Sequence, residues 1–341
     1  MYTLLGFYIL YKQFIMKRIS VNFIGFWSNF DYKTFLPYLL LKKHYDVVIS
    51  KNPDFLFCSI FDGFEYCKYD GIRIFCTSEC IFPDMNIFDY AISILDMSVG
   101  GRVLNFPYFM YIDAITNLDK RPIMNKNDLL NKTRFCNFIY SHPAPERDKL
   151  FHEISKYRVV DSAGKHLNNM DGFTPGKRDE ITGIRNNSKI DFQGQYKFTI
   201  ACENYVYENY VTEKIIHAYL ARTIPIYYGD PNVTKIFNPK SFINVSDYKS
   251  TDGLIERIKE IDSNPNLFLE MINEPVFKCQ GYVETRIKKL DDFLVNIVES
   301  GKLFRKPNNY NVRKLNEQLI EISNNNSDKF YKIYKLIRNK I

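Results

Sequence analysis

Apolar runs and amphipathic stretches alternate along most of this chain. Residues 19–26 form a strand-like apolar run, and 33–44 follow with Phe35, Leu36, Leu39 and Leu40 on one helical side. Short apolar runs at 46–50, 54–59, 72–76 and 89–94 read as further strands, whereas 103–111 is apolar and aromatic without a clear period. A polar stretch rich in Asn, Lys and Asp, 117–134, interrupts the pattern and predicts a domain boundary. The alternation then resumes with strand 135–140, helix 146–156, strand 158–161 and an irregular segment over 164–195. Strand 196–202, helix 211–220, strands 224–228 and 241–245, helix 251–262 and a long helix 287–298 complete it. Strand–helix alternation at this spacing predicts an α/β protein of two doubly wound units, each a parallel sheet with helices on both faces. Ligands of such folds bind in a cleft beyond the carboxyl ends of the strands, so the chemistry is expected in the polar turns that leave them.

Composition narrows the class. With 341 residues and 45% hydrophobic content, the chain suits two domains and is not globally disordered. It has no apolar run of the roughly 18 residues that a spanning helix needs. The seven cysteines include no C-x-x-C pair and read as free, mostly buried thiols in a reducing compartment. Five scattered histidines without H-E-x-x-H make a zinc site unexpected. Residues 302–341 carry ten basic residues against three acidic ones, a surplus equal to the whole net charge of +7. The body is therefore neutral, which argues against a nucleic-acid enzyme. Within the tail, apolar residues at 330, 333, 334, 337 and 341 define one helical face opposite Lys and Arg. Residues 328–341 are thus a candidate for peripheral contact with an anionic membrane surface, the alternative being a helix packed on the body. Residues 1–18 read as a lead: apolar at first, short, and without the basic start of a signal peptide.

Three turns hold candidate chemistry. Strand 196–202 ends at Glu203-Asn204, and a helix is expected from Val211 with Thr212, Glu213 and Lys214 in its first turn. The free amides and dipole of a helix start, with the Lys214 charge, favour a diphosphate, and Glu213 can accept hydrogen bonds from sugar hydroxyls. The alternative is an ordinary helix start with Glu213 satisfying the dipole. After strand 135–140, Arg147 falls in the first turn of the next helix, where a guanidinium can grip phosphate oxygens in a bidentate way. A surface arginine beside Glu146 and Asp148 is the competing reading. Strand 72–76 runs into Thr77-Ser78-Glu79, which places a carboxylate suited to a general base past a buried strand. A turn carboxylate in water is the alternative there. No D-x-D occurs, so a metal held by paired carboxylates on a nucleotide-sugar is not expected.

Taken together, these turns resemble one family. Residues 196–248 contain K-F, E-N, Y-V-T-E-K-I, P-I-Y-x-G and N-P-K-S-F-I-N-V in order, similar to the signature of the bacterial α-1,3/4-fucosyltransferases of glycosyltransferase family 10. Residues 135–147 and 160–164 fit the same family, and 73–79 and 86–92 fit it more loosely. The resemblance implies a GT-B fold of two Rossmann-like domains with an interdomain cleft. Its acceptor domain would occupy 19–130 and its GDP-fucose domain 131–301, followed by the basic amphipathic tail, 302–341. It further implies metal-independent, inverting transfer of L-fucose to O3, or O4, of GlcNAc in a Gal-GlcNAc glycan, as in Lewis-type antigen or lipopolysaccharide synthesis. By position, Glu79 matches the catalytic base. Arg147 and Lys214 match the diphosphate contacts, Ser141, Asn204 and Tyr210 further donor contacts, and Glu213 the carboxylate near fucose and ribose. Cys80-Ile81-Phe82 departs from the more polar stretch of relatives, which bears on acceptor choice. The expected location is cytoplasmic, peripheral on the inner face of the membrane. The rival class is a non-catalytic nucleotide-sugar or glycan-binding protein of the same fold.

Overall fold

Eleven strands in two wholly parallel sheets run through residues 16–61, 65–170 and 187–304, the residues that the computed structural model describes. The first sheet contains β1 (Arg18–Ile24), β2 (Asp46–Ile49), β3 (Phe55–Cys58), β4 (Ile72–Cys76), β5 (Tyr90–Ser93) and β6 (Val103–Asn105), ordered β2-β1-β3-β4-β5-β6. β3, β4 and β5 are buried at every position. Their continuous apolar runs are what a parallel sheet covered on both faces requires. The charged exception, Arg73, is 2% exposed and donates from Nε and Nη2 to the Tyr69 carbonyl at 3.2 and 2.8 Å. Helix α1 (Leu36–His44) starts later than its apolar spacing predicts. Asp31 accepts from the Lys33 amide and starts a 3-10 turn over Tyr32–Thr34 first, and Pro37 then sets the opening turn of α1.

The second sheet contains β7 (Arg134–Phe138), β8 (Val160–Ser162), β9 (Tyr196–Cys202), β10 (Ile224–Tyr228) and β11 (Ile243–Asn244), ordered β11-β10-β9-β7-β8. Its helices are α2 (Lys126–Leu130), α3 (Pro145–Tyr157), α4 (Asn187–Gly194), α5 (Glu213–Leu220), α6 (Thr251–Ser263) and α7 (Pro265–Asn273). Phe198, Ile200 and Cys202 of β9 share one core with Ile154 of α3, Ile258 of α6 and Phe268 of α7. α4 and α5 pack against β9 without sharing that core. Each such fully buried side chain contributes about 1.5–3 kcal/mol.

The chain divides into two compact units. The first comprises the chain to Ser93, Met97–Asn105 and the chain from Leu290; the second comprises Ile94–Asp96 and Phe106–Lys289. This differs from the expected division at residue 130. The polar stretch read as a boundary holds a 3-10 helix over Asp113–Lys120 and α2, whose N-cap Asn125 accepts from the amides of Asn127 and Asp128. Its polarity is the solvated side of ordered turns. The last helix, α8 (Tyr282–Ser300), passes from the second unit back into the first. There Tyr45 Oη donates to Glu299 at 2.8 Å and the Phe304 amide donates to the Asp89 carboxylate at 2.9 Å. The lead 1–15, residues 171–186 and the tail from 305, including the expected amphipathic helix at 328–341, lie outside the described residues. Among the described residues no helix is long and apolar enough to cross a membrane. The described thiols are free, with Cys58, Cys76, Cys136 and Cys202 buried.

Lys132 gives the second unit a measurable pH signature. Its ammonium group belongs to a side chain only 7% exposed and donates to the carbonyls of Gly194 at 2.9 Å and Tyr196 at 3.1 Å. Burial, with Arg222 nearby, pulls its pKa down to about 7. The folded chain therefore binds fewer protons here than the unfolded chain between about pH 7 and about pH 10.5, and this group's contribution to stability rises with pH across that window. Denaturation curves of Lys132→Gln should show a flatter rise over that range than wild type; an unchanged slope would contradict the assignment.

Candidate functional site

The site is built where β9 ends. The Glu203 amide donates to the Tyr228 carbonyl at 2.8 Å, carrying the β9–β10 ladder one residue past the strand. The Glu203 carboxylate is thereby held inside the protein, its side chain fully buried. It accepts from the Thr212 amide at 2.8 Å, the Thr212 hydroxyl at 2.6 Å and Lys214 Nζ at 2.9 Å. Lys214 Nζ also donates to Thr212 Oγ1 at 2.8 Å. Burial works against the Lys214 charge, but the Glu203 and Glu213 carboxylates outweigh it and raise the ammonium above its ordinary pKa. Lys214 is a fixed cation at neutral pH.

Arg147 reaches the carbonyl of Glu203 from α3. It is the third residue of α3 and 3% exposed. Its guanidinium lies 3.9 Å from the centre of the Tyr140 ring. Nη1 donates to the His142 carbonyl at 3.1 Å; Nη2 donates to Asn204 Oδ1 at 2.7 Å and to the carbonyls of Cys202 and Glu203 at 3.4 and 3.3 Å. Nε is buried without a partner among the described residues. Tyr140 is fixed in turn, donating to the Ile200 carbonyl at 2.8 Å and accepting from the Cys202 amide at 2.7 Å. Among the described residues no carboxylate pairs with Arg147. Glu203 pairs with Lys214, whereas the Arg147 guanidinium is held by carbonyl dipoles, an amide oxygen and a π face. A buried charge in that state favours an incoming anion.

Of the seven residues singled out from the sequence, Arg147, Asn204 and Lys214 meet around Glu203. Glu213 opens α5 beside them and is half-buried. The helix begins at Glu213, two residues later than expected, because Thr212 is its N-cap and spends its hydroxyl on Glu203 instead of on capping. Ser141 is exposed, three residues past β7, which ends at Phe138 instead of residue 140. Tyr210 is 1% exposed, so in this conformation it offers a ligand no surface. Glu79 lies in the first unit, three residues beyond the carboxyl end of β4. It is half-buried, and among the described residues its carboxylate has no hydrogen bond or salt bridge. The Thr77 hydroxyl accepts from its amide at 3.2 Å, and its carbonyl accepts from the Ile81 amide at 2.8 Å.

Sequence reasoning missed Glu203, Thr212 and Tyr140 as parts of the site. One signal was available: a carboxylate closing an apolar strand, with a lysine in the next helix start, has a ready reason to be buried. Gly229 belongs to the same construction. A Cβ there would come 2.6 Å from both Glu203 Cγ and Tyr227 Oη. Gly229→Ala should push Glu203 away from Lys214 and lower stability by about 1–3 kcal/mol, visible as a lower Tm. An unchanged Tm would show that Glu203 is not held this tightly. Among the described residues no group of three or more His, Cys, Asp or Glu side chains is placed to hold a metal ion.

Comparison with known proteins matches both halves of the chain. Residues 129–273 match the C-terminal domain profile of glycosyltransferase family 10 (fucosyltransferase), and 21–112 match the N-terminal domain profile of an alpha-(1,3)-fucosyltransferase. An alpha-(1,3)-fucosyltransferase of Helicobacter pylori is 28% identical over 90% of this chain and 71% of its own length. A putative fucosyltransferase of Acanthamoeba polyphaga mimivirus is 31% identical over 86% of this chain, which spans 48% of that relative. A crystal structure of an alpha1,3-fucosyltransferase with GDP-fucose superposes with a TM-score of 0.69 at 26% identity, covering 85% of this chain and 93% of the other.

Proposed function

The chain resembles the family 10 fucosyltransferases along both of its halves and has their GT-B-type fold, and on that premise we propose that it transfers L-fucose from GDP-fucose to O3 of GlcNAc in a Gal-GlcNAc glycan, with O4 as the second candidate position. The observation that carries this reading is the buried Arg147 guanidinium beside the end of β9, which no carboxylate pairs among the described residues. GDP leaves as a diphosphate, and the charge that develops on it has to be met by groups already in place. Arg147, 3% exposed in this conformation, meets phosphate oxygens with its planar fork after a local shift, and Lys214 adds a point charge oriented by Glu203. Ser141, Asn204 and Tyr210 complete the donor contacts, Tyr210 after its loop shifts, and Glu213 accepts from sugar hydroxyls.

Fucose departs through an oxocarbenium-like transition state. Glu79 takes the proton of the acceptor hydroxyl as the new C–O bond forms and the bond to GDP breaks. One carboxylate acting on one face gives a single displacement and inversion at the anomeric carbon. In this reading cationic side chains do the work that a divalent metal does on other nucleotide-sugars, and no metal takes part. The test is a donor screen of GDP-fucose against other GDP-sugars, in excess EDTA, with Gal-β1,4-GlcNAc and Gal-β1,3-GlcNAc. Selective fucosyl transfer that survives EDTA supports the reading; transfer lost in EDTA and restored by a divalent cation contradicts it.

A further inference from the structure

Arg121, Lys132 and Arg222 form a second group of cations, which the donor chemistry does not use. β9 lies between β7 and β10 and all three run parallel, so the residues just before these strands meet at one edge of the second sheet. Lys132 precedes β7 by two residues and Arg222 precedes β10 by two; the Gly194 and Tyr196 carbonyls that accept from Lys132 lie at the start of β9. This is the amino edge of the sheet, whereas Arg147, Asn204 and Lys214 follow the carboxyl ends of β7 and β9. Arg121 is half-buried and donates to the carbonyls of Leu118 at 2.8 Å, Glu274 at 3.2 Å and Tyr219 at 3.5 Å. Arg222, also half-buried, donates to the Oδ1 of Asn273, the residue before Glu274, at 3.1 Å.

Every hydrogen-bond partner of the three among the described residues is a neutral carbonyl or amide oxygen. Asp119 attracts Arg121 and Asp128 attracts Arg222, but neither closes a salt bridge to the group among the described residues. Burial pulls Arg121 down to about 10, and the Arg222 charge is the next cause, as it is at Lys132. Neutral oxygens satisfy donors and leave the charge, so like charges gathered at a partly dry edge repel one another until an anion offsets them. Lys132, 7% exposed, spends two of its three ammonium donors on carbonyls, which leaves one for a ligand. We propose that this edge is a second anion site, in which Arg121, Lys132 and Arg222 take one phosphate-type oxyanion, free or as the headgroup of an anionic lipid. Ile123 and Leu130, 73% and 77% exposed, each stand two residues from one of these cations and would give the lipid source an apolar footing. The site does not depend on the fucosyl-transfer reading.

Sulfate is the probe, because it does not titrate near neutral pH. In calorimetry at about pH 7.5 on the full chain with excess GDP, sulfate should bind saturably. Its heat should differ between Tris and Hepes, because Lys132 is mostly neutral at that pH and takes up a proton as the anion arrives. Arg222→Gln should weaken sulfate about tenfold and leave GDP affinity within about twofold; Arg121→Gln is the second removal should the first variant not fold. Vesicles of phosphatidylglycerol and phosphatidylcholine tell the two sources apart. Weaker vesicle binding by Ile123→Ser with Leu130→Ser, at unchanged sulfate affinity, assigns the headgroup; unchanged vesicle binding assigns the free ion. No saturable sulfate binding, binding without proton uptake, or binding that both arginine variants leave at wild-type strength overturns the site, and none of these results bears on transfer from GDP-fucose.

Discussion

Glu79→Gln should lower kcat for fucosyl transfer by about 10²–10⁴, the usual contribution of a positioned general base. The substitution is close to isosteric at a half-buried turn residue whose carboxylate makes no hydrogen bond or salt bridge among the described residues, so folding should be unaffected and GDP-fucose binding retained. Wild-type turnover in the Glu79→Gln enzyme would remove this carboxylate from the reaction, and a wild-type chain that binds GDP-fucose but never transfers it would favour the non-catalytic reading.

Arg147→Lys should cost about 10²–10³ in kcat/KM, in the range seen when one preorganised donor to a developing anion is lost. Lysine keeps the charge but cannot donate to His142, Asn204 and the carbonyls beyond β9 while also presenting a fork to phosphate. Weaker GDP binding by calorimetry should accompany the loss. Arg147→Ala is the harsher and less clean test, because it strips the Tyr140 face and leaves Asn204 Oδ1 without its donor. If Arg147→Lys binds GDP as wild type does, the buried guanidinium is structural and the donor site lies elsewhere.

The sheets could be read from the chain because a parallel strand buried on both faces leaves a plain trace: FLFC is an uninterrupted apolar run, and IRIFC and YKFTIAC are mostly apolar, broken only at Arg73 and at Lys197 and Thr199. Short helices were harder. α7 begins with an Asn264 cap and Pro265, both standard start signals, but it follows α6 with one residue between them and its own apolar spacing is brief. The division into units was illegible in principle, since α8 belongs to both and its return to the first unit depends on partners such as Tyr45, 254 residues from Glu299 and too far for any local pattern to register. The site was half legible. Arg147 and Lys214 carry visible charge at helix starts, where physics gives charge a purpose. Glu203 looked like a turn residue, because its role comes from the Tyr228 carbonyl, Gly229 and Thr212, which only the folded sheet brings to it.

The most direct test of the whole account is the NMR spectrum of the product formed from GDP-fucose and Gal-β1,4-GlcNAc in excess EDTA. The account predicts a new α-linked fucosyl residue on O3 or O4 of GlcNAc, with the donor's anomeric configuration inverted. A retained configuration, or release of free fucose with the disaccharide untouched, would contradict it.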